Sequence, residues 1–467
     1  MFREIAVRRM AGYREECVGN IASEGNKDSM GYNGVMAKPQ IDGLTILRFA
    51  HAYESGGGVE QHLADLNREL GKRNGLTTIQ VQLTFDANRL GEIEERIGNS
   101  LLIKVPQLVQ RTQANHVDNT SGEQSLFKSL KQFGLNLFLC APSLNNFAMQ
   151  HFMYWRKVPR RPGEPDDVGA KAAEIMRRFK VDLVVLHASG GADASEIIGA
   201  ARSARIPIAI VHHFSNDRLG GVSLRQQISC VDGVAGASWV GVPKYLTKRF
   251  WNLSDAVDTE FYRPENVRPS SKKLYGPVLY TPARVTPEKG QADVIEVASI
   301  LRRRGLETRL VFAGRVDSPD FEAHLRQMAV QKGLSGAVEF LGPLTLEEYR
   351  DWYGAALVMV MPTRHHEGMP RTLIDSQAMK VPPVVYDIGG TREGVKDKET
   401  GYLIRLGDVD GVARAVETLI RNPDLHRRMA EAGRKFVEEN FSLRAFAERH
   451  EHFYSHVIET ARARLHQ

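Results

Sequence analysis

Short apolar runs recur along the chain, separated by longer stretches in which apolar residues return every three or four positions. LTILRFA (44–50), TTIQVQLTF (77–85), VDLVVLH (181–187) and IPIAIVHH (206–213) are runs of the first kind. So are PVLYTPAR (277–284), TRLVFAGR (308–315), VEFLGPL (338–344), AALVMVMP (355–362) and VPPVVYDI (381–388). Apolar runs of this length, rich in β-branched residues, read as parallel strands buried on both faces. The stretches between them carry helical spacing, as with Val59, Leu63, Leu66 and Leu70. Strand, helix, strand in steady alternation predicts α/β architecture with parallel sheets. The alternation comes in two blocks, and the polar, Pro-containing PENVRPSSKKLYG (264–276) between them reads as a hinge.

The expected organisation is a flexible leader over 1–42, a first domain over 43–263, a linker over 264–275 and a second domain over 276–441. A final helix over 442–467 is expected to pack back toward the first domain. The leader is mixed-charge, and Met30 or Met36 within it is an alternative start. Residues 90–165 break the rhythm, mixing bulky apolar residues with Lys and Arg. They read as an irregular or helical insertion, either a hairpin joined to the first core or a basic, aromatic lid facing a lipid-linked acceptor.

Composition narrows the class. The 467 residues are 42% hydrophobic and 25% charged, with mean hydropathy −0.32, which describes a globular chain of two or three domains. No apolar run approaches the ~20 residues of a membrane helix, and the charged N-terminus lacks a signal-peptide core, so a cytoplasmic location is expected. Cys17, Cys140 and Cys230 are too few and too scattered for a disulfide framework or a metal site. The net charge of +6 and pI near 9.1 suit anionic substrates or peripheral contact with the inner face of a membrane. No basic run is interleaved with aromatics, so nucleic acid is not an expected partner.

Candidate chemistry concentrates in HHEGMPRTLIDSQAMKVPPVV (365–385). A strand, a short loop, a Pro-initiated helix and a second strand set a helix N-terminus at the carboxyl edge of a parallel sheet, where unpaired N–H groups attract a diphosphate. Pro370 lacks an N–H, so Gly368, Met369 and Arg371 are the expected donors. Glu367 before the helix and Asp375 about one turn inside it are carboxylates that accept from sugar hydroxyls. Arg284 and Lys289 precede another helix, in RVTPEKG. Cations there suit a bound anion. Gly57 and Gly58 lie in a glycine-rich turn after the first strand, which is either a bare turn or a close approach to phosphate. Asp408-Val409-Asp410 reads as a helix N-cap rather than a metal pair.

These motifs, in this order, resemble glycosyltransferase family 4, retaining enzymes of GT-B fold that use nucleotide sugars. Glu367-Gly368 and Asp375 match its Glu-x7-Glu pattern, except that the second acid is one carbon shorter and its carboxylate withdrawn by about 1.5 Å. Arg284 to Gly290 matches R-x-x-x-x-K-G, Gly57 to Glu60 matches G-G-x-E, and IGGTREGV (388–395) matches the closing pattern. The resemblance implies two Rossmann-like domains facing across a cleft, the first for the acceptor and the second for the donor. It implies transfer of a hexose to an acceptor hydroxyl, as in polysaccharide or glycolipid assembly, with no metal or other cofactor. It also implies that Glu367 and His213 orient the sugar, Asp375 the ribose, and Arg284 and Lys289 the diphosphate, while backbone near Gly314 meets the base. A degenerate nucleotide-sugar-binding partner subunit and a nucleotide-sugar epimerase are the alternatives.

Overall fold

The computed structural model describes residues 41–51, 58–73, 76–84, 93–97, 100–106, 168–187, 192–212, 222–268 and 276–465. The leader, most of the 90–165 insertion, Gly57 and His213 lie outside the described residues.

Two α/β halves follow one another. In the first, β1 (Thr45–His51), β2 (Thr77–Thr84), β3 (Ile93–Ile97), β4 (Ser100–Pro106), β5 (Leu183–Leu186), β6 (Ile208–His212), β7 (Gly233–Gly236) and β8 (Phe250–Asn252) form one sheet. Its order is β3-β4-β2-β1-β5-β6-β7-β8, parallel except for the β3–β4 pair. Helices α1 (Gly58–Leu70), α2 (Val168–Arg178), α3 (Ala192–Ser203) and α4 (Val222–Ser229) belong to this half.

The second half holds a six-stranded sheet of β9 (Val278–Pro282), β10 (Arg309–Ala313), β11 (Val338–Gly342), β12 (Val358–Met361), β13 (Pro383–Tyr386) and β14 (Tyr402–Ile404). Its helices are α5 (Gln291–Arg303), α6 (Pro319–Gln331), α7 (Leu346–Ala355), α8 (Arg371–Ala378), α9 (Thr391–Gly394), α10 (Val409–Arg421) and α11 (Pro423–Asn440). The chain closes with α12 (Leu443–Leu465).

Sequence accounts for much of this locally. Every residue of β9 and β12 is buried, which is why both read as unbroken apolar runs. Thr345 and Glu348 form a capping box that fixes the start of α7, each accepting a backbone N–H of the other. Asp408 caps α10 through Gly411 N at 2.8 Å, which gives the Asp-Val-Asp sequence a structural role. Residues 93–106 correct the reading of the insertion as irregular or helical, since β3 and β4 are an antiparallel pair there. The charges of IEERI left the first of these strands without an apolar run to mark it.

The second sheet runs β11-β10-β9-β12-β13-β14, parallel throughout, so the strand order turns about β9 and β12. Chains leaving the carboxyl ends of two such strands depart in opposite senses and open a crevice between them. The segment after β9 carries Arg284 and Lys289, and the segment after β12 carries Glu367.

Each sheet is covered by apolar clusters on two faces. One face of the first sheet is closed by α12, whose Phe446, Phe453, Tyr454 and Val457 pack with Ile46, Leu183, Val185 and Val211. The contact is tight, because a Cβ on Gly233 of β7 would lie 2.3 Å from Val457. The chain thus passes from the first half to the second and returns. The two crossings run side by side, with Val257 bridged to Ser442 and Val257 N bonded to Phe441 O at 2.9 Å.

Candidate functional site

The segments after β9 and β12 are laced together around Glu288 and Lys289. Arg364 N and the Thr363 hydroxyl donate to Glu288 O at 2.7 and 3.1 Å. The Arg364 guanidinium grips Asp293 of α5 with two bonds of 3.0 and 2.9 Å, and the Tyr386 hydroxyl adds a third at 2.8 Å. Gly290 allows the approach. Its φ of +79° is left-handed, and a Cβ there would stand 2.1 Å from Pro362 O.

This lacing sets Lys289 Nζ 2.7 and 2.8 Å from the two Glu367 carboxylate oxygens. The pair is mostly enclosed, with 13% and 27% of the side chains exposed. An ammonium and a carboxylate so placed, beside a helix start, offer an anion one partner and a polyhydroxyl group the other. The loop 367–369 is held from below by the turn before α9. Gly390 N donates to Glu367 O at 2.9 Å, and a Cβ on Gly390 would meet Met369 N at 2.3 Å. The Met369 side chain is buried in the core that also holds Leu373. Pro370 precedes α8 with no side-chain cap on its first turn.

Arg284 is placed differently. Its guanidinium is more than half exposed and ion-paired with Asp317, which also accepts from Arg315 at 2.6 Å. Those bonds, the Arg315 one first, hold the Asp317 carboxyl below its ordinary range. The Gln291 amide fixes the backbone by donating to Arg284 O at 2.8 Å. Gly314 ends β10 beside that turn, where a Cβ would stand 2.3 Å from Ala283 O. Gly58 is the first residue of α1.

Inside α8, Asp375 is buried, and burial pushes its carboxyl up to about 7. Arg371 one turn earlier pulls the value back, while Asp255 and Asp65 raise it. Among the described residues Oδ1 of Asp375 has no hydrogen-bond partner, and Arg371 Nε stands 3.7 Å away. The Arg371 side chain also reaches Asp65 of α1 at 3.4 Å, linking the two halves. The sequence pattern points only to the Arg371 backbone N–H and not to this side-chain bridge. His187, at the end of β5, is 2% exposed.

A second bridge between the halves falls in IGGTREGV, a segment the motif match covers without giving Glu393 a role. Glu393 of α9 accepts from the Ser238 hydroxyl, Trp239 N and the Asn252 amide, all of the first half. A lone Glu in a four-residue helix has no periodicity or spacing to mark it.

Residues 263–436 match the family model described as glycosyl transferases group 1. This region is a group 1 glycosyltransferase domain. The group 1 domain contains Lys289, Glu367 and the whole α8 start. Over 204 residues the chain is 31% identical to a GDP-mannose-dependent α-(1-6)-phosphatidylinositol monomannoside mannosyltransferase of Mycolicibacterium smegmatis, covering 41% of this chain and 53% of that protein. The match thus spans about half the length of that relative, as it does for a Bacillus subtilis protein named putative glycosyltransferase EpsD. A glycosyltransferase structure from Rickettsia africae superposes with a TM-score of 0.61 at 18% identity, covering 89% of this chain and 99% of that one. Anabaena HepE, solved with UDP, gives 0.60 at 16%, covering 86% and 97%. The group 1 domain is thus one of two Rossmann-like halves of a GT-B fold.

Proposed function

We propose that the chain moves a hexose from a nucleotide diphosphate sugar to an acceptor hydroxyl, with retention at the anomeric carbon. The observation that carries this reading is the enclosed Lys289–Glu367 pair at the β9–β12 switch point, one loop before the α8 N-terminus. In this reading Lys289 and the first turn of α8 hold the diphosphate, and Arg284 joins them by leaving Asp317. Glu367 and His213 hold the sugar hydroxyls, and Asp375 faces the ribose. Negative charge grows on the leaving phosphate as the glycosidic C–O bond breaks, and groups already fixed around it lower that barrier. The acceptor oxygen bonds to the anomeric carbon on the face the nucleotide leaves. Its proton passes to a phosphate oxygen, giving a nucleoside diphosphate and a glycoside. This charge is assigned to protein cations rather than to a metal.

Relatives named for a phosphatidylinositol monomannoside acceptor and for capsular polysaccharide biosynthesis support a glycolipid or polysaccharide acceptor. Contact with a membrane surface belongs to the same proposal. Among the described residues no helix is long and apolar enough to cross a membrane.

The test is a thermal-shift panel of UDP-, GDP-, ADP- and TDP-sugars on the wild type, Lys289→Ala and Glu367→Gln. A ligand at about 100 times its dissociation constant adds about 2.7 kcal/mol, a shift of degrees. One base should shift the wild type, Lys289→Ala should lose the shift, and Glu367→Gln should lose it for the sugar nucleotide more than for the free diphosphate. No shift with any donor refutes the reading.

A further inference from the structure

Glu393 is held in an unusual way for a carboxylate. Among the described residues no Lys or Arg pairs with it. Its partners are neutral donors of the other half: the Ser238 hydroxyl at 2.6 Å, Trp239 N at 2.9 Å and the Asn252 amide at 2.8 Å. Ser238 and Asn252 are buried. Each is itself oriented: Ser238 Oγ accepts from Val240 N at 3.0 Å, and Asn252 Oδ1 accepts from Ser254 N and Oγ at 2.9 and 3.0 Å. Asn252 therefore presents its NH2 to Glu393, and the carboxylate finds a cradle of donors with a fixed shape. Burial pushes its pKa up, and these same bonds pull it back.

What Glu393 is attached to gives the cradle its meaning. Two residues earlier Thr391 bonds back to Tyr386 O and Ile388 O, locking the start of α9. One residue before that, Gly390 N holds Glu367 O, and Gly389 and Gly390 lie against the backbone of residues 366–369. Ser238 completes the circuit, since a Cβ placed on Gly368 would lie 3.5 Å from Ser238 Cβ. One short helix thus touches the first half through Glu393 and the 367–369 loop through its glycines.

We infer that Glu393 is a positioning residue: it fixes the 367–369 loop relative to the first half, so that the group facing Glu367 and the group offered by the first half meet in register. The inference rests on the proposed function for its kinetic consequence, but not for its mechanical one.

The test uses the full chain with Glu393→Gln, Asn252→Asp and the double variant. In Glu393→Gln the introduced amide either faces the Asn252 NH2, donor against donor, or turns its NH2 on Ser238 and Trp239. In the double variant the amide of residue 393 donates to the carboxylate of residue 252, whose other oxygen still accepts from Ser254. The first readout is hydrogen exchange without ligand. Glu393→Gln should speed exchange at Trp239 N and also at Gly390 N, and the double variant should restore both. Faster exchange at Trp239 alone, or no change at either, overturns the inference. The second readout is transfer kinetics. Glu393→Gln should raise the KM for donor roughly tenfold, the factor of about one lost hydrogen bond, with kcat changed far less and the double variant recovered. Equal loss in both single and double variants would mark a merely structural role. If the wild type binds no nucleotide sugar, the functional reading falls, and the exchange data still decide the coupling.

Discussion

Asp375→Asn should make the protein more stable in mild alkali, the reverse of what removing a charged residue of a proposed site ordinarily suggests. The carboxyl is buried on α8, with one oxygen unpartnered among the described residues and Asp65 and Asp255 adding to the cost of ionising it. Its pKa is pushed from 3.8 to about 7. Folded Asp375 therefore binds its proton more tightly than the unfolded chain. The stability tied to that proton is whole below about pH 4 and is lost as the pH rises through about 7. Each pKa unit is worth about 1.4 kcal/mol, so by pH 8 the ionised group costs roughly 4 kcal/mol at most. Asparagine keeps the shape and removes the titration. Urea midpoints of the transition that unfolds the second half, taken at pH 5 and pH 8, measure the difference. At pH 5 the folded carboxyl keeps its proton while the unfolded aspartate has lost it, so the variant should already lead by roughly 1–2 kcal/mol. At pH 8 the variant should lead by roughly 2–4 kcal/mol. A lead of the same size at both pH values, or a variant weaker at pH 8, would refute the account of Asp375 as a buried, destabilised carboxylate.

Two further outcomes follow from packing, beside those for the Lys289–Glu367 pair and for Glu393. Gly290→Ala forces a side chain into left-handed backbone against Pro362 O, and should cost roughly 2–4 kcal/mol in urea denaturation. It should also separate the loops that join Lys289 to Glu367, so that any donor-induced thermal shift shrinks. Phe446→Ala empties a fully buried position of α12 and should cost about 3–5 kcal/mol. The loss should appear in hydrogen exchange of β1 and β5, on the sheet α12 covers, and not in β9 or β12.

The alternating architecture was legible because strands buried on both faces must be apolar throughout, and VMVM or VLYTP leaves little else to be. Motif order placed Lys289 and Glu367 in one site although they are 78 residues apart, and the structure has them in direct contact. The antiparallel pairing of β3 with β4 was obscured because the charged residues of IEERI leave no apolar run. β8, a three-residue strand at the sheet edge, falls below the length at which a period can be counted. Contacts made by single residues left no pattern at all. Ser238 and Glu393 lie 155 residues apart, and nothing in either neighbourhood announces the other. The same holds for the Asp317 that engages Arg284 and the Asp65 that meets Arg371. Such contacts depend on where separate elements come to rest against one another, within a half or between the two, and periodicity records only what each element does by itself.

The return of α12 to the first sheet has a consequence for how the protein is made. During synthesis β1 and β5 emerge early, yet the apolar face they share with Phe446, Phe453 and Tyr454 waits for residues near the opposite end of the chain. The group 1 domain, continuous in sequence, is free to fold before that face is covered. Until α12 arrives the first sheet presents an open apolar surface, the kind that invites chaperones or self-association. A fragment ending at the linker should therefore be insoluble, whereas the same fragment supplied with residues 443–465 as a separate peptide should recover. A stop codon before residue 443 would damage most the half of the protein translated first.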